Sequence, residues 1–258
     1  MDSRKILVLL SNKSEARSCV NFTVQLFREM KTLMVIAYVE ESDFSETEKQ
    51  MTAADIQQSF NAHPNVKVVV RNGKNLTTDD IAREAKYTDL IVLQTVLLSD
   101  ASNQWLNAAS KYQNDALAQV PVIVVPNRAH KIEEVLITYD GENPNFGSIR
   151  QFCQVMGGFC SMVNVTLLEI NHGCSHFLPE EEKLMVEYLK EHCQNFGVYK
   201  VSEESPEKIL QLINCGPNAL VVSGTLSSLQ ASLPHLPSLT GKFIQEKNMA
   251  GFFGTSIY

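Results

Sequence analysis

The sequence predicts a doubly wound α/β fold, a parallel sheet between two helical layers, built twice in one chain. Three observations predict it. Laid over itself with an offset of 129 residues the chain repeats: Lys5-Ile-Leu-Val-Leu-Leu10 answers Glu134-Val-Leu-Ile-Thr-Tyr139, Asp89-Leu-Ile-Val92 answers Asn218-Ala-Leu-Val221, and Pro121-Val-Ile-Val-Val125 answers Ala250-Gly-Phe-Phe-Gly254. A repeat of this length is a whole domain rather than a solenoid turn, so the fold is sought once and the function where the copies differ. Within the first copy, short runs rich in Val, Ile and Leu alternate with longer stretches of helical period. The runs are continuous rather than alternating, which suits strands buried on both faces of a parallel sheet.

The strands expected in the first copy are Lys5–Leu10, Leu33–Val39, Val66–Val70, Asp89–Leu93 and Val120–Val125. Parallel neighbours require right-handed crossovers, so the segments between are expected to be helices. The first crossover carries an apolar stripe in both copies, Ala16, Val20, Phe27 and Met30 in one and Ile149, Phe152, Met156 and Phe159 in the other. Such a stripe faces a sheet. In the second copy a helix is expected over Pro179–Phe196, with Leu184, Tyr188, Leu189 and Phe196 on one side. Pro179 suits its first turn, and Glu180, Glu181 and Glu182 meet the positive end of the dipole.

Composition narrows the function classes. The chain has 258 residues, 22 basic against 29 acidic, and a formal net charge of −7. That balance offers no basic footprint for nucleic acid. No apolar run approaches a membrane span, and the N-terminal strand lacks the length and cleavage pattern of a signal peptide. Six cysteines, five of them in the second copy, do not make a disulfide framework, so a reducing cytoplasmic setting is expected. The two domains are expected at 1–127 and 131–258, joined by the short polar linker Pro126-Asn-Arg-Ala-His-Lys131.

Further residues carry a family likeness: Ile137-Thr-Tyr-Asp-Gly141 after the first strand of the second copy, Thr166-Leu-Leu-Glu-Ile170 at its second, and Ala219-Leu-Val-Val-Ser-Gly224 at its fourth. In the first copy Asp89–Leu93 and Val120-Pro-Val-Ile-Val-Val-Pro126 correspond to the fourth and fifth strands. Over essentially its full length the chain resembles a tandem universal stress protein, two UspA-like units of the adenine nucleotide alpha hydrolase-like fold. The resemblance implies an intramolecular pseudo-dimer, because single units of that family pair through the fifth strand. An open apolar edge invites pairing. Val120–Val125 is therefore expected to face Met249–Gly254 across a pseudo-twofold axis.

The nucleotide-binding branch of that family holds ATP with an acidic residue after strand one, backbone groups ending strand two, and a G-x2-G-x9-G-[S/T] loop after strand four. Glycines let backbone N–H groups approach phosphates, and the next helix N-terminus favours the anion. By register the first copy puts Gln94, Leu97 and Asn107 at the glycines, Ala108 at the hydroxyl position and Ser11 at the acidic position. The motif is lost there. The second copy keeps Asp140 and Gly141, but Ser223, Leu226, Leu236 and Pro237 occupy the loop positions and Gly224 misses the first glycine by one residue.

The candidate nucleotide contacts are therefore Asp140, Gly141, Ile170, Ser223, Gly224 and Thr225. Each has a plain structural alternative: Asp140-Gly-Glu-Asn-Pro-Asn is turn chemistry throughout, and Ser223-Gly-Thr225 reads as a strand-to-loop turn. His172, Cys174 and His176, with His192 and Cys193 downstream, are the one cluster of metal-capable side chains, yet their spacing fits no common zinc pattern. Cys153 and Cys160 fall on the apolar stripe as small hydrophobes, and Gly216 reads as a helix-terminating residue beside Cys215. No nucleophile elbow or paired-carboxylate site is present, so no catalytic residue is expected. The function this reading supports is a non-enzymatic stress-response protein acting through an unknown protein partner. ATP or AMP sensing by the second domain alone is the alternative, and no metal or other cofactor is expected.

Overall fold

The computed structural model describes residues 4–10, 16–28, 30–38, 65–71, 78–95, 120–139, 143–170, 179–202, 205–225 and 239–255. The chain divides into two compact units, Met1–Lys131 and Ile132–Tyr258. In the first, β1 (Arg4–Leu10), β2 (Thr32–Tyr38), β3 (Val66–Arg71), β4 (Leu90–Gln94) and β5 (Val122–Val125) run parallel in the order β3-β2-β1-β4-β5. Helices α1 (Ala16–Phe27) and α2 (Thr78–Ala85) lie between them in sequence. Strand order reverses between β1 and β4, the point at which this class of sheet opens a crevice beyond the strand ends.

Burial follows the apolar runs. Ile6 through Leu10 and Leu90 through Leu93 are enclosed on both faces, and Val20 and Phe27 of α1 lie in the core. Polar groups pin the amino ends of the central strands: the Lys5 amide donates to Asp89 Oδ2 at 2.7 Å, the Asp89 amide donates to the Lys5 carbonyl at 2.8 Å, and Lys5 Nζ reaches Glu84 Oε1 at 2.6 Å. At the carboxyl end Thr95 donates through both its amide and its hydroxyl to the Val125 carbonyl, each at 2.8 Å.

The second unit repeats the plan with β6 (Glu134–Tyr139), β7 (Asn164–Ile170), β8 (Asn195–Val201), β9 (Ala219–Thr225) and β10 (Ala250–Gly254), all parallel in the order β8-β7-β6-β9-β10. Its helices are α3 (Asn143–Cys160), α4 (Pro179–His192), α5 (Pro206–Leu212) and α6 (Leu239–Glu246). The stripe Ile149, Phe152, Met156 and Phe159 of α3 is buried as its spacing predicts, and Phe152 meets Phe252 of β10 edge-on with ring centroids 5.2 Å apart. Fully burying such a ring is worth about 1.5–3 kcal/mol. Gly251, one residue away and so facing the opposite side of the sheet, lies against Ile244 of α6. The two helices thus cover the two faces of β10.

Three sequence expectations are corrected here. The helix expected over Pro179–Phe196 ends at His192, and Phe196 belongs to β8. Its buried positions are Met185 and Leu189, whereas Leu184 is 64% exposed. Strand β8 escaped notice because Gly197 through Lys200 are exposed, which leaves no apolar run to read. Gly216 does not terminate a helix in a left-handed conformation: α5 stops at Ile213, which is extended at φ −92° and ψ 111° and whose amide bonds back to Ile209.

Helix α3 lies flush on the ends of β9 and β10 because Gly254 has no side chain. A Cβ there would come within 2.4 Å of both Ser148 Cα and Oγ. Gly254→Ala should therefore destabilise the protein by about 1–3 kcal/mol in urea unfolding, since Ser148 Cα is main chain and cannot step aside. Gly158→Ala, on an exposed turn of the same helix with open space around it, should instead stabilise by up to about 1 kcal/mol. Equal effects at the two positions would refute the close-packing account.

Helices α5 and α6 are tied by an ion pair between Glu207 and the buried Lys242. The hydrogen bond from Lys242, then that from Ser205, holds the Glu207 carboxyl down to about 2 from its ordinary 4.5. A depressed carboxylate contributes stability above its ordinary value and loses it as pH falls toward the folded value. The urea midpoint should accordingly drop between about pH 4.5 and 2 in the native protein, and part of that slope should vanish in Glu207→Gln.

Candidate functional site

The crevice of the second unit lies between β6 and β9, where the strand order reverses. The candidate contacts fall around it. Ile170 is the last residue of β7 and is buried. Ser223, Gly224 and Thr225, read from sequence as a turn, are the final residues of β9. Asp140 and Gly141 lie outside the described residues, as do His172, Cys174, His176, Leu226, Leu236 and Pro237 and, in the first unit, Ser11, Leu97, Asn107 and Ala108. Gln94, at the first glycine position of that unit, ends β4 and is 1% exposed.

The end of β9 is irregular in a specific way. Phe253 pairs with Ser223 and Gly254 with Thr225, so Gly224 is an extra residue in a β-bulge. Its carbonyl accepts a hydrogen bond from the buried Ser148 Oγ of α3 at 3.0 Å. Ser223 Oγ accepts one from Thr240 Oγ1 of α6 at 2.8 Å. One residue earlier, Thr138 Oγ1 of β6 donates to the Val222 carbonyl at 3.1 Å and bridges the two strands at the reversal point itself. At the end of β10, the Thr255 amide donates to Gln151 Oε1 of α3 at 2.7 Å. The Val222 and Gly224 carbonyls, the Ser223 hydroxyl and the Thr255 amide are thus bonded to the two flanking helices and to β6.

A second polar cluster occupies the α3 side of the sheet at the ends of β6, β7 and β8. Tyr139, Glu169 and Lys200 are in register across the three strands. The Glu169 side chain is 7% exposed, and its Oε2 lies 3.1 Å from Lys200 Nζ, which also reaches Glu182 Oε1 of α4 at 2.5 Å. The Glu182 hydrogen bond, with help from Glu169 and against desolvation, raises the Lys200 ammonium above its usual range. Glu169 was passed over in the sequence reading. Its signal was a lone acid inside the apolar strand Asn164-Val-Thr-Leu-Leu-Glu-Ile170.

Among the described residues no group of three or more His, Cys, Asp or Glu side chains is arranged to hold a metal ion. His192, named with the metal-capable residues, donates from Nδ1 to the Tyr188 carbonyl at 3.0 Å and stacks on the Tyr188 ring at 4.3 Å. No described helix is long and apolar enough to cross a membrane.

Solved structures share the architecture. A universal stress protein from Archaeoglobus fulgidus DSM 4304 superposes with a TM-score of 0.63 at 11% identity, over 98% of this chain and 96% of that one. The fold is that of the adenine nucleotide alpha hydrolase-like class. The cytoplasmic domain of a prokaryotic cation chloride cotransporter superposes with a TM-score of 0.57 at 9% identity, over 98% of this chain and 95% of that one. At these identities the likeness is one of fold. No protein-family model matches the sequence, and no curated protein matches it.

Lys200→Ala leaves the Glu169 carboxylate enclosed without its cation. It should lower stability by about 1 kcal/mol in urea unfolding, below the loss for a fully buried pair because Lys200 is half open to solvent. Adding Glu169→Gln should recover part of that loss, and a double variant less stable than Lys200→Ala alone would refute the pairing.

Proposed function

We propose that this protein is a non-enzymatic stress-response protein that acts by binding a protein partner, with ATP binding absent from its first unit. The observation that carries the reading is the internal bonding at the end of β9. Ser148 donates to the Gly224 carbonyl and Thr240 to the Ser223 hydroxyl, so the described end of β9 presents acceptors and is tied by them to α3 and α6. A phosphate cradle needs the opposite, several backbone donors turned outward with no side chain in front of them. The sequence also lacks the paired glycines of such a cradle in both copies.

Asp140 and Gly141 keep one alternative open, in which the second unit alone senses ATP or AMP. The two readings separate in a thermal-shift measurement on the purified protein with millimolar ATP, AMP and magnesium. A ligand at 100 times its dissociation constant stabilises by about 2.7 kcal/mol, a clear upward shift. No shift with any nucleotide is the expected outcome. A shift that Asp140→Ala abolishes would replace partner binding by nucleotide sensing.

A further inference from the structure

Strand β8 stands at one end of the strand order, and among the described residues it pairs with β7 alone. Such an edge presents a row of unpaired backbone donors and acceptors, which proteins commonly guard with a free lysine, a proline or a covering segment. The described residues supply none of these at β8. Gly197 through Lys200 are open to solvent, Val198 is 40% and Tyr199 46% exposed, and the one charge of the strand, Lys200, is drawn onto Glu169 and Glu182. The corresponding strand of the first unit, β3, carries the exposed Lys67 instead.

We propose that this edge is the interface of a homodimer, in which β8 pairs antiparallel with β8 of a second copy about a two-fold axis at Val198. The neighbouring helix argues for that occupant. As the crossover between the parallel strands β7 and β8, α4 lies over this pair and runs against them. Its buried residues Met185 and Leu189 face the sheet, Tyr188 meets Phe146 of α3 on one flank, and Glu182 meets Lys200 on the other.

Four-residue spacing puts the half-buried Val186 and the exposed Lys190 in one row with Glu182, along the flank turned toward β8. That row is complementary to itself when reversed. Val186 meets Val186 of the second copy, and Glu182 meets its Lys190, so opposite charges face each other at both ends of the contact. A two-fold interface uses the same patch on both chains and requires a surface of this kind.

Helix and strand share one axis. Glu182 and Val186 are four residues apart, about 6 Å along a helix. Lys200 and Val198 are two apart, about 6.6 Å along a strand. Because Glu182 touches Lys200 and the two elements run in opposite directions, Val186 lies level with Val198. A single two-fold therefore serves both pairs. With the second β8 added at one strand spacing, about 4.8 Å, the two α4 helices come about 10 Å apart, a separation at which helices pack. On the opposite face Tyr199 of each copy covers the exposed Gly197 of the other, a cross-strand pair in which an aromatic ring shields a bare glycine.

Light scattering on the full chain at up to about 1 mM, where even a weak interface is filled, should give twice the 28.8 kDa of one chain. Val198→Lys sets like charges opposite each other at the axis and should return the mass to that of a single chain. Lys190→Glu opposes like charges at both ends of the helix contact and should raise the dissociation constant about tenfold. Val198→Cys brings two Cα atoms about 4.5 to 5.5 Å apart, within disulfide range. Mild oxidation should link it into a covalent dimer that dithiothreitol reverses, whereas Met162→Cys, exposed on the turn before β7, should stay single. A single-chain mass at every concentration leaves the edge to a different occupant and overturns the proposal. So does a dimer that Val198→Lys leaves intact, or a Val198→Cys protein no more crosslinked than Met162→Cys. The native mass and the crosslink decide this even if the charge variants fail to fold.

Discussion

The close approach of α3 to the ends of β9 and β10 organises the second unit. Gly254 opens the space and Ser148 occupies it, with its hydroxyl on the carbonyl of the bulged Gly224. A serine at this contact does two things at once: it is small enough to lie against the strand, and it satisfies a carbonyl that the bulge has turned out of the ladder. Moving the helix outward would leave that carbonyl buried and unpaired, a cost of about 1–3 kcal/mol. Gln151, one turn along, makes the same kind of bond to Thr255. Phe152 then falls on Phe252.

This geometry decides what the strand ends can do. In a doubly wound sheet the carboxyl ends carry the free backbone groups to which ligands bind. In the second unit Val222, Gly224 and Thr255 are met instead by Thr138, Ser148 and Gln151. In the first, Thr95 closes β4 onto Val125 by two hydrogen bonds to one carbonyl. The buried Glu169 is neutralised within the same unit by Lys200, which is held in turn by Glu182. The described strand ends are thus bonded within their own unit, two through carbonyls and one through an amide.

Much of the fold was legible because parallel strands buried on both faces leave continuous apolar runs. Lys5–Leu10, Asp89–Leu93 and their counterparts in the second copy could be read directly, as could the inward stripe of α3. Strand β8 could not, since an exposed edge strand containing Gly197 and Lys200 has neither an apolar run nor a clean alternation. Helix α4 was read too long for the related reason that Phe196 continued its spacing by coincidence across the break after His192. Of the candidate site, the absence of the glycine spacing was visible in one dimension. The bulge at Gly224 was not, because it is a relation between β9 and β10 and leaves no mark in either segment alone.

By itself the sequence determined the parallel α/β class and the absence of a phosphate loop's glycine spacing, since each follows from local composition and spacing along the chain. Only the tertiary structure decided that Ser148 fits between Gly224 and Gly254 and that the lone acid of β7 meets the lysine of β8. These are contacts between segments far apart in the chain. Their partners are selected by packing against a common sheet, and no periodicity within one segment records which residue the neighbouring segment will present.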